Sequence, residues 1–215
     1  AGVGVAYKLA CALHRKVRRD DSEPAGLDLV ALGTVADMTP LTGENRSLVR
    51  GGLAVMNSPA GNFGLMILAG LCGLTPGKLN AGRIGFVIAP RLNAAGRVSH
   101  ASSGVELLLT DNRDRALEIA QTLDRENNLR QQVEREILAA AEQQLVHTDP
   151  QREKVLVLSG DDWHPGVVGL VASRLVERYY RPAAVISVRD GVGKGSCRSI
   201  PGFDIYAALT GCADL

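Results

Sequence analysis

The stretch from Thr110 to Val146 sets the plan of this chain. Leu129, Val133, Ile137, Ala141 and Leu145 recur every fourth residue, among charged and amide side chains. That spacing lines up apolar groups in one narrow stripe along a helix. Thr110 and Asp111 are both good N-caps, so a helix is expected from there to about Val146. At 1.5 Å per residue it would span roughly 50 Å. A single stripe buries too little for a core helix. The segment reads as a strut between two domains, with one arm of a helical hairpin as the alternative.

The sequence on either side is that of a folded protein. Of 215 residues, 46% are hydrophobic and 22% charged, enough apolar content for one large domain or two smaller ones. Net charge is +1, so a polyanion site must be a local cluster rather than a global basic field. Cys11, Cys72, Cys197 and Cys212 are far apart and form no C-x-x-C pair. A reduced, cytoplasmic chain without structural zinc is the simplest account. No apolar run reaches membrane-spanning length and no signal peptide is visible. The chain opens inside an amphipathic helical pattern and stops just after another, and is read as a piece of a longer protein.

Ahead of the strut, Val3, Val5, Ala6, Leu9, Ala10, Leu13 and Val17 fit a helix that ends in the basic-acidic stretch Arg15 to Glu23. The continuous apolar run from Asp28 to Asp37 predicts a buried strand of a parallel sheet. Helices are expected at Asn45–Met56 and Leu65–Gly73, an apolar element at Gly82–Ala89, and a packed segment at Val105–Leu109. Past a turn at Thr148-Asp-Pro150 the pattern becomes strand (Lys154–Ser159), helix (Pro165–Tyr180, Pro165 in its first turn) and strand (Ala183–Val188). A tight turn at Asp190-Gly191 leads into Val192–Ser199, and a further helix covers Phe203–Leu209. The fold class is α/β, with a second, incomplete α/β domain after the long helix.

Four places carry residues suited to chemistry. Between Gly85 and Arg97, two arginines six residues apart flank an asparagine and a glycine after an apolar run. Guanidinium forks suit phosphate oxygens and small residues let a backbone approach, so this is an anion-binding turn or a solvated loop. Asp37 sits just beyond the predicted strand, at the edge where open α/β sheets collect ligands, though taken alone it reads first as a turn-former or helix cap. Trp163-His164-Pro165-Gly166 opens a helix whose N–H groups and dipole favour an anion. Trp163 suits base stacking or the core; His164 suits phosphate contact or helix capping. Gly193 to Ser199 sets Lys194 and Arg198 with Ser196 and Ser199 among glycines, as an anion nest or a polar hairpin arm. Its spacing is not that of a P-loop.

Together these segments resemble the RecJ family of single-strand-specific 5′→3′ exonucleases, within the DHH phosphoesterase superfamily. The resemblance rests on DLVALGTVADMTPL (Asp28–Leu41), PRLNAAGR (Pro90–Arg97), DWHPGVVGLVASR (Asp162–Arg174), Arg181-Pro182 and GKGSCRSIPG (Gly193–Gly202). Cys197 departs from it, standing where the family loop has glycine. The resemblance implies the C-terminal part of a parallel-sheet DHH domain (1–109), a connecting helix (110–148) and the N-terminal part of a DHH-associated domain (149–215). It implies Asp37 as catalytic and as a ligand in a two-metal Mn2+ or Mg2+ site. Arg91, Asn93, Arg97, Trp163, His164, Ser196, Arg198 and Ser199 are implied as nucleic-acid-binding residues around one groove. The implied partner is single-stranded DNA, with single-strand-binding protein and a helicase beside it; a monomer with no membrane association is expected. The family's D-x-D and D-H-H metal motifs would lie before Ala1 and its G-G-H motif beyond Leu215, so the chain by itself is expected to be inactive. Alternatives are a DHH phosphoesterase acting on short oligonucleotides, or a non-catalytic DNA-binding relative.

Overall fold

The computed structural model describes residues 1–18, 24–75, 77–98, 101–146 and 153–213. The end of the basic-acidic stretch from Arg19 and the turn at 148–150 lie outside these. The chain divides into two compact units, Ala1–Asn127 and Asn128–Leu215.

The first unit holds α1 (Gly2–Arg18), α2 (Leu27–Ala36), α3 (Gly43–Met56) and α4 (Phe63–Leu71), then α5 (Ala81–Arg83), a π-helical turn (Ile84–Ile88), α6 (Ala89–Val98) and α7 (Ser102–Leu109). Among its described residues there is no strand. The expected strand at Asp28–Asp37 is therefore corrected: it is helix α2. A continuous apolar run does not distinguish a strand covered on both faces from a helix covered all round. Here Val30, Ala31, Leu32 and Thr34 are all buried, a spread that takes in most of the helix circumference. Small residues permit the close fit. A Cβ on Gly52 of α3 would lie 2.2 Å from the Leu27 carbonyl oxygen, and one on Gly33 of α2 would lie 2.8 Å from a Val3 methyl.

Asp28 ties this unit together. It sits in the first turn of α2, where a carboxylate suits the helix dipole. Its Oδ1 accepts from Leu29 N at 2.9 Å and its Oδ2 from Asn62 N at 2.7 Å. The Asn62 side chain caps α4 by accepting from Leu65 N, and donates to the Leu108 carbonyl of α7 at 2.8 Å. In α1 the covered face is Val3, Tyr7, Cys11 and His14, while Val5, Leu9, Leu13 and Val17 stand exposed. The apolar stripe read from the sequence is thus not the packed one.

The π turn answers a local need. Ala89 N reaches back five residues to Ile84 O, widening the helix just before Pro90, which has no N–H to donate. The helix therefore continues through Pro90 instead of breaking into a turn.

Helix α8 (Arg113–Leu145) is 33 residues long, and its cap is Asn112, whose side chain accepts from Arg115 N at 3.0 Å. The N-cap thus falls one or two residues later than expected, with Thr110 Oγ1 accepting from Asn112 N instead. Ala116, Ile119, Ala120 and Leu123 belong to the first hydrophobic core; Ile137, Ala141 and Leu145 belong to the second. Helix α8 thus contributes side chains to the core of each unit.

The second unit is a three-stranded sheet, order β1-β2-β3, of β1 (Leu156–Asp161), β2 (Ala183–Arg189) and β3 (Val192–Arg198). Strands β1 and β2 are parallel, joined by α9 (Val168–Tyr179); β2 and β3 are antiparallel. Asp190 (φ 52°) and Gly191 (φ 74°) make the hairpin turn, both left-handed as a type I′ turn requires. Leu156, Leu158, Ala183 and Val185 pack with α9 and the α8 stripe. Helix α10 (Ile205–Thr210) follows, capped by Asp204.

Gly52→Ala is expected to lower stability by roughly 1–3 kcal/mol, since the added methyl meets backbone that cannot rotate away. A denaturant midpoint unchanged from wild type would show that α2 and α3 can separate freely.

Candidate nucleic-acid interface

Helix α6 divides the three residues expected to act together. Asn93 and Arg97 are four apart and share an exposed face, whereas Ala94 and Ala95 are buried. Arg91 points elsewhere. Its Nε donates to Asp124 Oδ1 at 2.8 Å and its Nη1 to Val87 O at 2.7 Å, with the side chain only 19% exposed. The pair lies beside Cys72, whose thiol is pushed up by burial and pulled back in part by the Arg91 charge. The expected anion-binding turn is therefore a helix, and its first arginine serves packing.

The turn before α9 likewise differs from expectation. His164 Nδ1 accepts from Gly166 N at 3.1 Å, and its carbonyl accepts from Val167 N and Val168 N at 2.9 and 3.2 Å. These N–H groups of the turn are thereby engaged, so His164 holds the turn ahead of α9, whose N-cap is Val167, and Pro165 precedes the helix instead of opening it. Trp163 is 9% exposed and belongs to the second core. Its ring lies flat on Gly160, where a Cβ would be 2.2 Å from Cε2, and its carbonyl accepts from the Ser187 hydroxyl. Trp163 as a base-stacking platform is corrected to a core aromatic. A cleft of about 360 Å³ is lined by Val133, Glu136, Ile137, Asp162, Trp163 and His164, and its two carboxylates make it a poor place for phosphate.

Strand β3 offers a better one. Lys194, Ser196 and Arg198 alternate onto one face, and Lys194 and Arg198 are exposed. Arg198 Nη1 donates to Ser196 Oγ at 3.1 Å and to Cys197 O at 2.8 Å; its Nε donates to Ser173 Oγ of α9 at 3.2 Å. Cys197 is half-buried, and its side chain is on the opposite face from Arg198, so the departure from glycine leaves that face unaltered. Ser199 donates to Phe203 O at 2.6 Å and to Ile200 O, clasping a turn in which Gly202 has φ 83°. Its hydroxyl proton is thereby engaged in shaping the loop.

Residues 152–214 match the DHHA1 domain. The chain is 40% identical over its whole length to the Bacillus subtilis single-stranded-DNA-specific exonuclease RecJ, of which it covers 27%. It is 40% identical to the Thermus thermophilus protein of the same name, of which it covers 30%. It also matches the crystal structure of Thermus thermophilus RecJ in complex with Mg2+ with a TM-score of 0.84, at 38% identity, covering 100% of this chain and 33% of that one. Over its whole length the chain is thus similar to a part of these RecJ proteins. It spans about a third of the length of the relatives it matches.

The similarity to RecJ proteins gives Asp37 its interest. Asp37 is exposed and forms the C-cap of α2, rather than the end of a strand. A carboxylate at a helix C-terminus faces the negative end of the dipole, an arrangement a cation relieves. Its hard oxygens suit Mg2+ or Mn2+. Among the described residues no group of three His, Cys, Asp or Glu is placed to hold a metal, so Asp37 would be one ligand of several. Gly169 and Ser173 are what the residue-by-residue reading missed. Both lie in the DWHPGVVGLVASR segment, four apart on α9, and nothing in their chemistry alone marks them.

Trp163 is the sole tryptophan, so fluorescence reports on its surroundings directly. Its emission is expected to be blue-shifted and poorly quenched by acrylamide until the second unit unfolds. Quenching as efficient as that of free tryptophan would contradict its burial.

Proposed function

We propose that this chain supplies part of the DNA-binding wall and one metal ligand of a single-stranded-DNA-specific 5′→3′ exonuclease, which hydrolyses phosphodiesters and releases mononucleotides. The observation that carries the reading is the end-to-end match to RecJ exonucleases, together with an exposed arginine on β3 held by three side-chain or backbone acceptors. The chain divides accordingly into part of a DHH domain (1–109), a connecting helix (110–148) and part of a DHH-associated domain (149–215).

Asp37 would hold one of two divalent ions, with the remaining ligands on other parts of a RecJ protein. When bound, such an ion acidifies a water and withdraws charge from the phosphoryl oxygens. The protein's own residues do the rest. Arg97 and Arg198 bind phosphate oxygens and offset charge that builds up in the transition state. Asn93, on the same face as Arg97, offers an amide donor. Ser196 supports Arg198, and Ser199 shapes the loop behind it. Arg91, His164 and Trp163 contribute by holding their helices and turns in place. DNA repair and recombination in the cytoplasm are the proposed setting, for a monomer working with single-strand-binding protein and a helicase.

Two experiments test this. The 215-residue chain alone, given Mn2+ and labelled single-stranded DNA, is expected to release no mononucleotide, because it offers one proposed ligand where several are needed. Release abolished by Asp37→Ala would contradict that account. In a full-length RecJ protein carrying this sequence, Arg97→Ala and Arg198→Ala should each flatten log affinity against log salt, by roughly 0.7 for every phosphate no longer neutralised. The effect should not depend on base sequence, since phosphate contacts carry none. Unchanged slopes in both variants would assign these arginines to folding instead.

A further inference from the structure

We propose that Ser173, seated against Gly169 on α9, is a positioning residue that presets the Arg198 guanidinium for a DNA phosphate. This rests on the reading of Arg198 as a phosphate contact. An exposed arginine normally samples many rotamers, and ordering it on binding offsets part of what the contact gains. Here the order is built in. Arg198 Nε donates to Ser173 Oγ at 3.2 Å, and the Ser173 hydroxyl donates in turn to Gly169 O at 3.1 Å, one helical turn back. That second bond fixes where the hydroxyl proton points, and so turns a lone pair toward Arg198. Nη1 is held by Ser196 Oγ and Cys197 O. Nη2 has no hydrogen-bond partner among the described residues, so its two N–H groups form the edge left to an incoming anion.

Gly169 makes room for this arrangement. A Cβ there would lie 2.9 Å from Ser196 Oγ, which holds Nη1, and 3.2 Å from Arg198 Nη2, so it would crowd both. The sequence Gly-x-x-x-Ser on α9 therefore serves β3: the glycine admits the guanidinium plane and the serine orients it. A guanidinium recognises phosphate through a planar fork, so its orientation decides whether two oxygens or one can be reached.

The test measures oligothymidylate binding in a full-length RecJ protein carrying this sequence, with thermal midpoints as the folding control. Ser173→Ala is expected to weaken binding about threefold to tenfold, the scale of one net hydrogen bond. Ser173→Thr, which keeps the hydroxyl, should stay within about twofold of wild type. In an Arg198→Ala background Ser173→Ala should have no further effect, because the residue it positions is gone. Gly169→Ala should weaken binding as Ser173→Ala does. If Arg198→Ala weakens binding but Ser173→Ala does not, or if the two effects multiply, Ser173 does not act through Arg198 and the inference is wrong. If Arg198→Ala itself changes neither affinity nor salt slope, the phosphate reading fails first and the inference falls with it.

Discussion

Both hydrophobic cores need helix α8. Its first half adds Ala116, Ile119, Ala120 and Leu123 to the helical unit, and its second half adds Ile137, Ala141 and Leu145 to the sheet unit. Charge pairing reinforces the second half. Glu134 accepts from Arg130 at 2.6 Å within α8 and from Arg174 of α9 at 3.3 Å, and Glu142 pairs with Arg178 of α9. The Glu134 bond is the main reason the Arg174 guanidinium holds its proton more tightly than usual. The sheet unit is therefore clamped by its polar edge as well as its apolar face.

The arginines show how one residue type is put to different uses. Arg91 is tied to Asp124 and to a backbone carbonyl, so it stabilises the junction of α6 and α8 within the helical unit. Arg115 grips both carboxylate oxygens of Glu106 and also reaches Glu118, holding the Glu106 carboxyl below the usual carboxylate range. Arg198 makes its bonds to a serine hydroxyl on α9 and to its own strand rather than to a carboxylate. Among the described residues no carboxylate pairs with it, while its geometry is fixed. That combination is what the proposed phosphate contact asks of it.

Much of the site was legible residue by residue, but its division of labour was not. Asn93, Arg97 and Arg198 are exposed and Ser196 lies half-buried beside Arg198, which is the placement the proposed phosphate contacts call for. His164 and Trp163 carried two readings each from sequence, because an imidazole can cap or contact and an indole can pack or stack. The choice depended on whether Gly160 lay beneath the indole and whether the N–H groups of 166–168 already had an acceptor. Both are facts of three-dimensional contact.

The sequence by itself determined the elements whose signals are local. Strand β2, the Asp190-Gly191 turn, β3, α3, α4 and the extent of α8 all follow from periodicity, caps and left-handed turn residues acting within a few positions. The tertiary structure decided what local signals leave degenerate. The run from Leu27 to Ala36 is apolar enough for a strand covered on both faces or a helix covered all round. It became a helix because α1, α3 and the π turn surround it, with Gly33 and Gly52 letting them close in. The covered face of α1 was settled in the same way, by Val3 meeting Gly33. Burial of a given side is a property of the partner, and the partner lies elsewhere in the chain.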